Sequence, residues 1–92
     1  MEVLSESDII SALEPLKEWT YDGKKLHAKF SFSDFRSAFS FITYVALIAE
    51  RLNHHPELFN SYSKVELWLT THDIGGVSQL DIKFAQETSK FI

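Results

Sequence analysis

The sequence predicts an α+β domain: a four-stranded antiparallel sheet with helices packed on one face, in the order α-β-β-α-β-β-α. Two stretches, residues 26–32 and 64–70, alternate apolar and polar side chains with the period of half-buried strands. Other stretches place apolar residues at helical spacing, and turn-forming residues separate the segments. Because no repeat, linker or low-complexity segment is present, we expect residues 1–92 to form a single domain.

The chain begins with a helix signal followed by a hairpin signal. Ser5 is a good N-cap for the first helix, and Pro15 is expected to end it. A hairpin is predicted from Trp19 to Ser33, because Asp22-Gly23 is a turn signal. In its second strand His27 falls in the polar phase, where we expect an exposed side chain without a functional role.

The longest predicted element is a helix from Ser33 to Leu52, with Ser33 as its N-cap. One apolar stripe is expected to face the sheet: Phe35, Ala38, Phe39, Ile42, Val45, Ala46, Ala49 and Leu52. A second stripe lies on other faces of the helix: Phe41, Tyr44, Leu47 and Ile48. A domain of 92 residues can hardly bury both stripes, so we expect the second to contact another subunit. The alternative is an aromatic-rich core within one chain.

Two strands and a helix complete the predicted fold. A short strand is predicted at Phe59–Tyr62 and a clearer one at Lys64–Thr70. We expect the clearer strand to lie at an edge of the sheet, where it can pair with a second subunit. Gly75-Gly76 permits a sharp reversal, and Ser78 begins the last helix.

Composition limits the classes of function. The net charge is −4 and basic residues are scattered, so direct nucleic-acid binding is not expected. The absence of cysteine excludes disulfides, thiolate metal sites and cysteine nucleophiles. We find no GxSxG elbow and no phosphate-binding loop. Without a signal peptide or long apolar span, we expect a cytoplasmic protein that does not bind membranes, also nuclear if its source is a eukaryote.

Three of the four histidines lie between positions 54 and 72 and form the candidate site. His54 and His55 follow the long helix, which Pro56 ends, and His72 follows a predicted strand. Imidazoles exchange protons near neutral pH, so three of them around one cleft predict a proton-transfer site. Glu50, about one helical turn before His54, is placed to orient an imidazole.

Structural interpretations of the same residues remain open. Histidines at a helix C-terminus can simply hydrogen-bond the last carbonyls. A zinc site is a weaker alternative, because the spacing fits neither HExxH nor a zinc finger. Asp81 forms a good capping pattern with Ser78, and Trp19 is of a type more often found in a core.

The spacing of the candidate residues resembles that of a known family. Glu50-x3-His54-His55-Pro56-x5-Tyr62-x9-His72-x8-Asp81 resembles the signature of the pterin-4a-carbinolamine dehydratases. Further matching pieces are Trp19, Phe30-x-Phe32-x2-Phe35, Val45-Ala46-x2-Ala49-Glu50, Thr71-His72 and Gly75-Gly76. The resemblance spans about Leu4 to Ile92, with Asn53 where some members carry Asp.

The resemblance implies a dehydratase that converts 4a-hydroxytetrahydrobiopterin into quinonoid dihydropterin, in tetrahydrobiopterin recycling. It implies no cofactor and no metal, and assembly into homodimers or homotetramers. We expect His54 and His72 to exchange protons with the substrate, and His55 to bind and orient it. Further substrate contacts are expected from these residues: Trp19, Pro56, Tyr62, Thr71, Asp73 and Asp81. The alternative is a non-catalytic protein-binding module, since some animal members are dimerisation cofactors of a homeodomain transcription factor.

Overall fold

The structure, a computed structural model, describes Met1–Phe91 and has the predicted order of helices and strands. The helices are α1 (Glu6–Leu13), α2 (Phe35–Leu52) and α3 (Gln79–Ser89). The strands are β1 (Trp19–Tyr21), β2 (Leu26–Ser31), β3 (Glu57–Ser61) and β4 (Lys64–Leu69). A short 3₁₀ turn, His72–Ile74, lies between β4 and α3. The α+β class is therefore confirmed.

The strands form one antiparallel sheet in the order β1-β2-β4-β3. Along β4, Leu67 lies opposite Ala28 of β2 on one side and opposite Leu58 of β3 on the other. The prediction that Lys64–Thr70 is an edge strand is therefore wrong. The edge strands of this sheet are β1 and β3. The alternation of apolar and polar residues indicates which face of a strand is buried, but it does not indicate which strands lie beside it.

The three helices cover one face of the sheet, and the core lies between the two layers. The buried strand residues are Leu26, Ala28, Phe30, Val65, Leu67 and Leu69. The buried residues of α2 and α3 include Ala38, Phe41, Val45, Ile48, Ala49, Phe84 and Ala85. Each large apolar side chain contributes roughly 1.5–3 kcal/mol when fully buried, so this layer is the main source of stability.

The buried face of α2 combines residues of both predicted stripes. Ala38, Val45 and Ala49 of the core stripe are buried, as predicted. Phe41 and Ile48, assigned to the outer stripe, are 0% and 2% exposed. Phe35 and Phe39, assigned to the core stripe, are 47% and 51% exposed. Apolar residues lie nearly all round this helix, so the apolar pattern alone does not say where its buried face is centred. Among the helices that the structure describes, none has both the length and the apolar character to span a membrane.

Both ends of α2 are capped. Asp34, rather than the predicted Ser33, is the N-cap, and its carboxylate accepts a hydrogen bond from the Ser37 N–H at 2.8 Å. At the other end Asn53 adopts the left-handed conformation, with φ 51°. The chain turns sharply there, and His54 leaves the helix beside the start of α3.

The opposite face of the sheet carries the fourth histidine. His27 stacks on Trp68, with ring centroids 4.9 Å apart and an interplanar angle of 12°. Its Nε2 lies 2.8 Å from Oε2 of Glu66. His27 is therefore part of a cluster on the face that the helices leave open, separate from the other three histidines.

Candidate active site

The three candidate histidines meet where α2 ends and where β4 leads into the 3₁₀ turn. A cavity of about 260 Å³ lies between these segments. Its lining consists of Asn53, His54, His55, Thr70, Thr71, His72 and Asp73. The fold thus brings the His-His pair and the Thr-His pair to one cavity.

His54 is held by a buried carboxylate at the start of α3. Its Nε2 lies 2.5 Å from Oδ1 of Asp81, and the two side chains are 11% and 0% exposed. An ionised carboxylate only accepts hydrogen bonds, so Nε2 carries a proton in this pair. The other ring nitrogen, Nδ1, is then the one available to a substrate.

Asp81 has further partners on its second oxygen. Oδ2 accepts hydrogen bonds from the Thr71 hydroxyl at 2.8 Å and from the Ser78 N–H at 2.9 Å. Ser78 is the N-cap of α3, and Asp81 completes its capping box. Capping was expected of Asp81, but the same carboxylate also binds His54.

His55 and Glu50 form a second pair at the rim of the cavity. His55 Nε2 lies 2.6 Å from Glu50 Oε2, with the side chains 60% and 76% exposed. Glu50 was expected to orient an imidazole, and the structure places it beside His55 and not beside His54. An ion pair as exposed as this one contributes little to stability.

His72 is the first residue of the 3₁₀ turn, and its side chain is exposed. Besides the histidine cavity, it lines an adjoining cavity of about 350 Å³. Thr70 also lines both cavities, so the two adjoin at the end of β4. His72 is thus placed to contact a molecule that lies in the histidine cavity.

Three other predicted site residues lie outside this lining. Trp19 is 3% exposed, and its Nε1 donates a hydrogen bond to Thr88 Oγ1 at 3.0 Å, which makes it a core residue. Tyr62 is 66% exposed in the turn between β3 and β4. That turn is at the opposite end of β4 from the cavity, roughly 20 Å away along a six-residue strand. Pro56 is half-buried and directly precedes β3.

Sequence reasoning missed three residues that contribute to the site. Asn53 and Thr70 line the cavity, and Ser78 donates to Asp81. The signal for Asn53 was its place after a long helix, where Asn often takes the left-handed conformation. The signal for Ser78 was its capping pattern with Asp81, but a capping pattern does not predict a link to His54.

The arrangement is suited to moving protons. Two imidazoles, His54 and His72, line one cavity, and a buried carboxylate can balance the positive charge of a protonated His54. Within residues 1–91 no group of three or more His, Cys, Asp or Glu side chains could hold a metal ion. The chemistry supported by these residues is general acid and base catalysis.

Comparison with known proteins points to one family. The family model for pterin 4 alpha carbinolamine dehydratase matches residues 2–91. A protein of Solibacter usitatus is 50% identical over 82 residues, which cover 89% of this chain and 86% of that protein. The pterin-4-alpha-carbinolamine dehydratase of Drosophila melanogaster is 48% identical over 86 residues, covering 89% of this chain and 45% of that protein. A crystal structure of a transcriptional coactivator/pterin dehydratase from Brucella melitensis matches with a TM-score of 0.91 and 43% identity, over 97% of both chains.

Proposed function

This chain belongs to the pterin-4a-carbinolamine dehydratase family, and on that premise we propose which of its residues carry out the dehydration. The enzyme removes water from 4a-hydroxytetrahydrobiopterin and gives quinonoid dihydropterin. His54 and His72 exchange the protons that this reaction moves. The observation that carries the proposal is that both imidazoles line one cavity, with Asp81 bound to the far side of His54.

The reaction needs one proton donor and one proton acceptor. In a carbinolamine, the hydroxyl group and the ring nitrogen are bonded to the same carbon. Loss of water breaks the carbon–oxygen bond and forms a carbon–nitrogen double bond. The nitrogen gives up its proton, and the departing hydroxyl takes one up to leave as water. Neutral imidazole and imidazolium can perform these two transfers near neutral pH.

The roles follow from the surroundings of each imidazole. His54 binds Asp81 through Nε2 and offers Nδ1 to the substrate. While His54 is protonated, the carboxylate of Asp81 already lies beside the imidazolium and does not have to move to balance its charge. His72 is exposed beside the same cavity, where it can exchange its own proton with solvent between turnovers.

Substrate binding is assigned to the rim of the cavity. His55, held by Glu50, orients the pterin ring, and Asp73 and Thr70 are polar partners for its edge. A flat ring with several donors and acceptors is best held by a few polar groups around a concave surface. Trp19 and Tyr62 are not assigned to binding within one chain, because neither lines the cavity.

We also propose that the enzyme is a homo-oligomer. On α2, an exposed or half-buried apolar stripe runs along the helix and consists of Phe35, Phe39, Ile42, Ala46 and Leu47. The edge strand β3 exposes Leu58 and Phe59, which are 41% and 53% accessible. Edge strands pair readily with other chains. We therefore assign the dimer contact to β3, which lies at an edge of the sheet, and not to Lys64–Thr70, which does not. The α2 stripe would then join two dimers.

A protein-binding role is the second candidate function. The Brucella melitensis structure, 43% identical to this chain, is described as a transcriptional coactivator as well as a pterin dehydratase. Such a role would use an outer surface of the molecule and not the histidine cavity. It is therefore compatible with catalysis and is separable from it by experiment.

The test of function is the rate at which purified protein dehydrates the 4a-carbinolamine, measured with and without a metal chelator. We expect acceleration over the spontaneous reaction and no effect of the chelator. A rate equal to the spontaneous rate would favour the protein-binding module. Loss of activity with the chelator would overturn the metal-free mechanism.

A further inference from the structure

Two hydroxyl groups lie behind Asp81, on the side away from His54, and the dehydration steps do not use them. Thr71 Oγ1 is 2.8 Å from Asp81 Oδ2 and 2.8 Å from Ser78 Oγ. Ser78 Oγ accepts a hydrogen bond from the Leu80 N–H at 3.2 Å. Thr71 is 8% exposed and Ser78 and Asp81 are 0% exposed, so water cannot readily replace these partners.

Counting protons fixes the direction of each hydrogen bond. A hydroxyl group has a single proton, and an ionised carboxylate has none to give. The proton of Thr71 therefore lies in its bond to Asp81, and the bond between the two hydroxyls uses the proton of Ser78. The chain of donors runs from Ser78 to Thr71 to Asp81, and His54 donates to Asp81 from the other side.

The position of Thr71 is itself fixed by the backbone. Its N–H donates to the carbonyl of Gly76 at 2.9 Å, and its carbonyl accepts from the N–H groups of Ile74 and Gly75 at 3.2 and 3.1 Å. Thr71 directly precedes His72, so the same residue joins the 3₁₀ turn to the carboxylate behind His54. These backbone hydrogen bonds fix the position from which the Thr71 hydroxyl donates to Asp81.

We propose that Thr71 and Ser78 are positioning residues for the reaction, acting through Asp81 on His54. This inference rests on the proposed function, in which His54 exchanges a proton with the pterin. The Thr71 hydroxyl and the Ser78 N–H occupy Oδ2, which leaves Oδ1 for His54. Asp81 cannot rotate without breaking these bonds, so His54 is kept in one ring orientation and one tautomer, with Nδ1 offered to the substrate.

The inference is tested with the variants Thr71→Val and Thr71→Ser. Valine has the shape of threonine but no hydroxyl, whereas serine keeps the donor. We expect Thr71→Val to lower kcat on the order of 10- to 100-fold with little change in KM, because a hydrogen bond to a charged group is lost. The kcat of Thr71→Ser is expected to be close to that of the wild type, because serine keeps the hydroxyl donor. Ser78→Ala should have a smaller effect, because the backbone N–H of residue 78 still donates to Oδ2.

The tautomer of His54 is a readout that does not depend on activity. Nitrogen-15 NMR of the imidazole is expected to show the Nε2–H form in the wild type and in Thr71→Ser, and a mixture of tautomers in Thr71→Val. The matched control is Thr88→Val. Thr88 is also fully buried, accepts from Trp19 at 3.0 Å and donates to the Ala85 carbonyl at 2.7 Å, but it does not contact Asp81.

The outcomes separate this inference from the function on which it rests. If Thr71→Val lowers kcat no more than Thr88→Val does, and His54 keeps its wild-type tautomer, the positioning role is overturned while the dehydratase mechanism stands. If Thr71→Val does not fold, the same comparison is made with Thr71→Ala, which also removes the hydroxyl that donates to Asp81, and an unchanged tautomer and kcat would overturn the proposal. A wild-type rate in His54→Ala would instead overturn the proposed mechanism itself.

Discussion

His54 and Asp81 are 27 positions apart in the sequence, yet Nε2 of one lies 2.5 Å from Oδ1 of the other. The contact joins the segment after α2 to the first turn of α3. Asp81 is fully buried, whereas His54 lines the cavity. A single carboxylate thus caps a helix and supports the imidazole that we assign to proton transfer.

Asp81→Asn is expected to lower kcat on the order of 10²- to 10⁴-fold, while the fold is retained. The amide has nearly the same shape but no negative charge, and its NH₂ group can donate to His54 and favour the other tautomer. Steady-state kinetics measures the loss, and circular dichroism checks the fold. A folded variant with a wild-type kcat would show that His54 does not need the carboxylate.

His55→Ala is expected to raise KM several-fold with a much smaller change in kcat, because His55 is assigned to binding. Glu50→Gln should raise KM in the same direction but less, since the exposed pair loses its charge but keeps a hydrogen-bond acceptor. The Glu50→Gln change should alter the free energy of unfolding by less than about 1 kcal/mol. If His55→Ala lowers kcat and leaves KM unchanged, His55 takes part in proton transfer and not in substrate binding.

Asp34→Ala is expected to lower the melting temperature by about a few degrees at neutral pH, because the N-cap of α2 is lost. The hydrogen bond from the Ser37 backbone, followed by that from the Ser37 side chain, holds the pKa of Asp34 below its ordinary value of 3.8. The ionised group therefore stabilises the fold above pH 3.8, and this contribution is lost as the pH falls through the lowered pKa.

The dependence of the melting temperature on pH provides a control for the predicted effect of Asp34→Ala. The difference in melting temperature between the wild type and Asp34→Ala should shrink at pH values well below 3.8. Asp34→Asn also caps the helix but does not titrate, so its melting temperature should depend less on pH in this range. An undiminished difference between the wild type and Asp34→Ala in acid would show that the charge of Asp34 is not involved.

Sedimentation at micromolar concentration tests the oligomer. We expect a species larger than the 10.6 kDa monomer, and a smaller species when Phe39→Glu and Leu47→Glu place charges on the exposed stripe of α2. The matched control is Ile10→Glu, which charges an apolar residue of α1 that is 55% exposed. A wild-type monomer, or equal effects of the α1 and α2 changes, would contradict the assignment of this stripe.

The fold class could be predicted because the periodicity of apolar residues reports which faces of each element are buried. Val65, Leu67 and Leu69 were correctly placed on one face of a strand, and all three are buried. The neighbours of that strand could not be predicted, because pairing is decided by contacts across the whole sheet. On α2, the buried face includes Val45 from one predicted stripe and Phe41 from the other, and it leaves Phe39 exposed. Helical spacing alone does not predict this division, because the packing of α2 on the sheet decides it.

The site could be predicted in part. His54, His55 and His72 were expected around one cleft, and all three line the same cavity. The link between His54 and Asp81 has no local signal, because it depends on how α3 packs beside the end of α2. Trp19 was expected to contact the substrate, but its indole N–H is bound to Thr88 inside the core.

The central claim is that His54 and His72 exchange protons with the substrate, and the most direct test is the rate of carbinolamine dehydration by single alanine variants. His27 provides the matched control, since it is bound to Glu66 on the opposite face of the sheet. We predict that His54→Ala and His72→Ala each lose about 10²- to 10⁴-fold in rate, while His27→Ala keeps the wild-type rate. Near wild-type rates in both His54→Ala and His72→Ala would contradict the account.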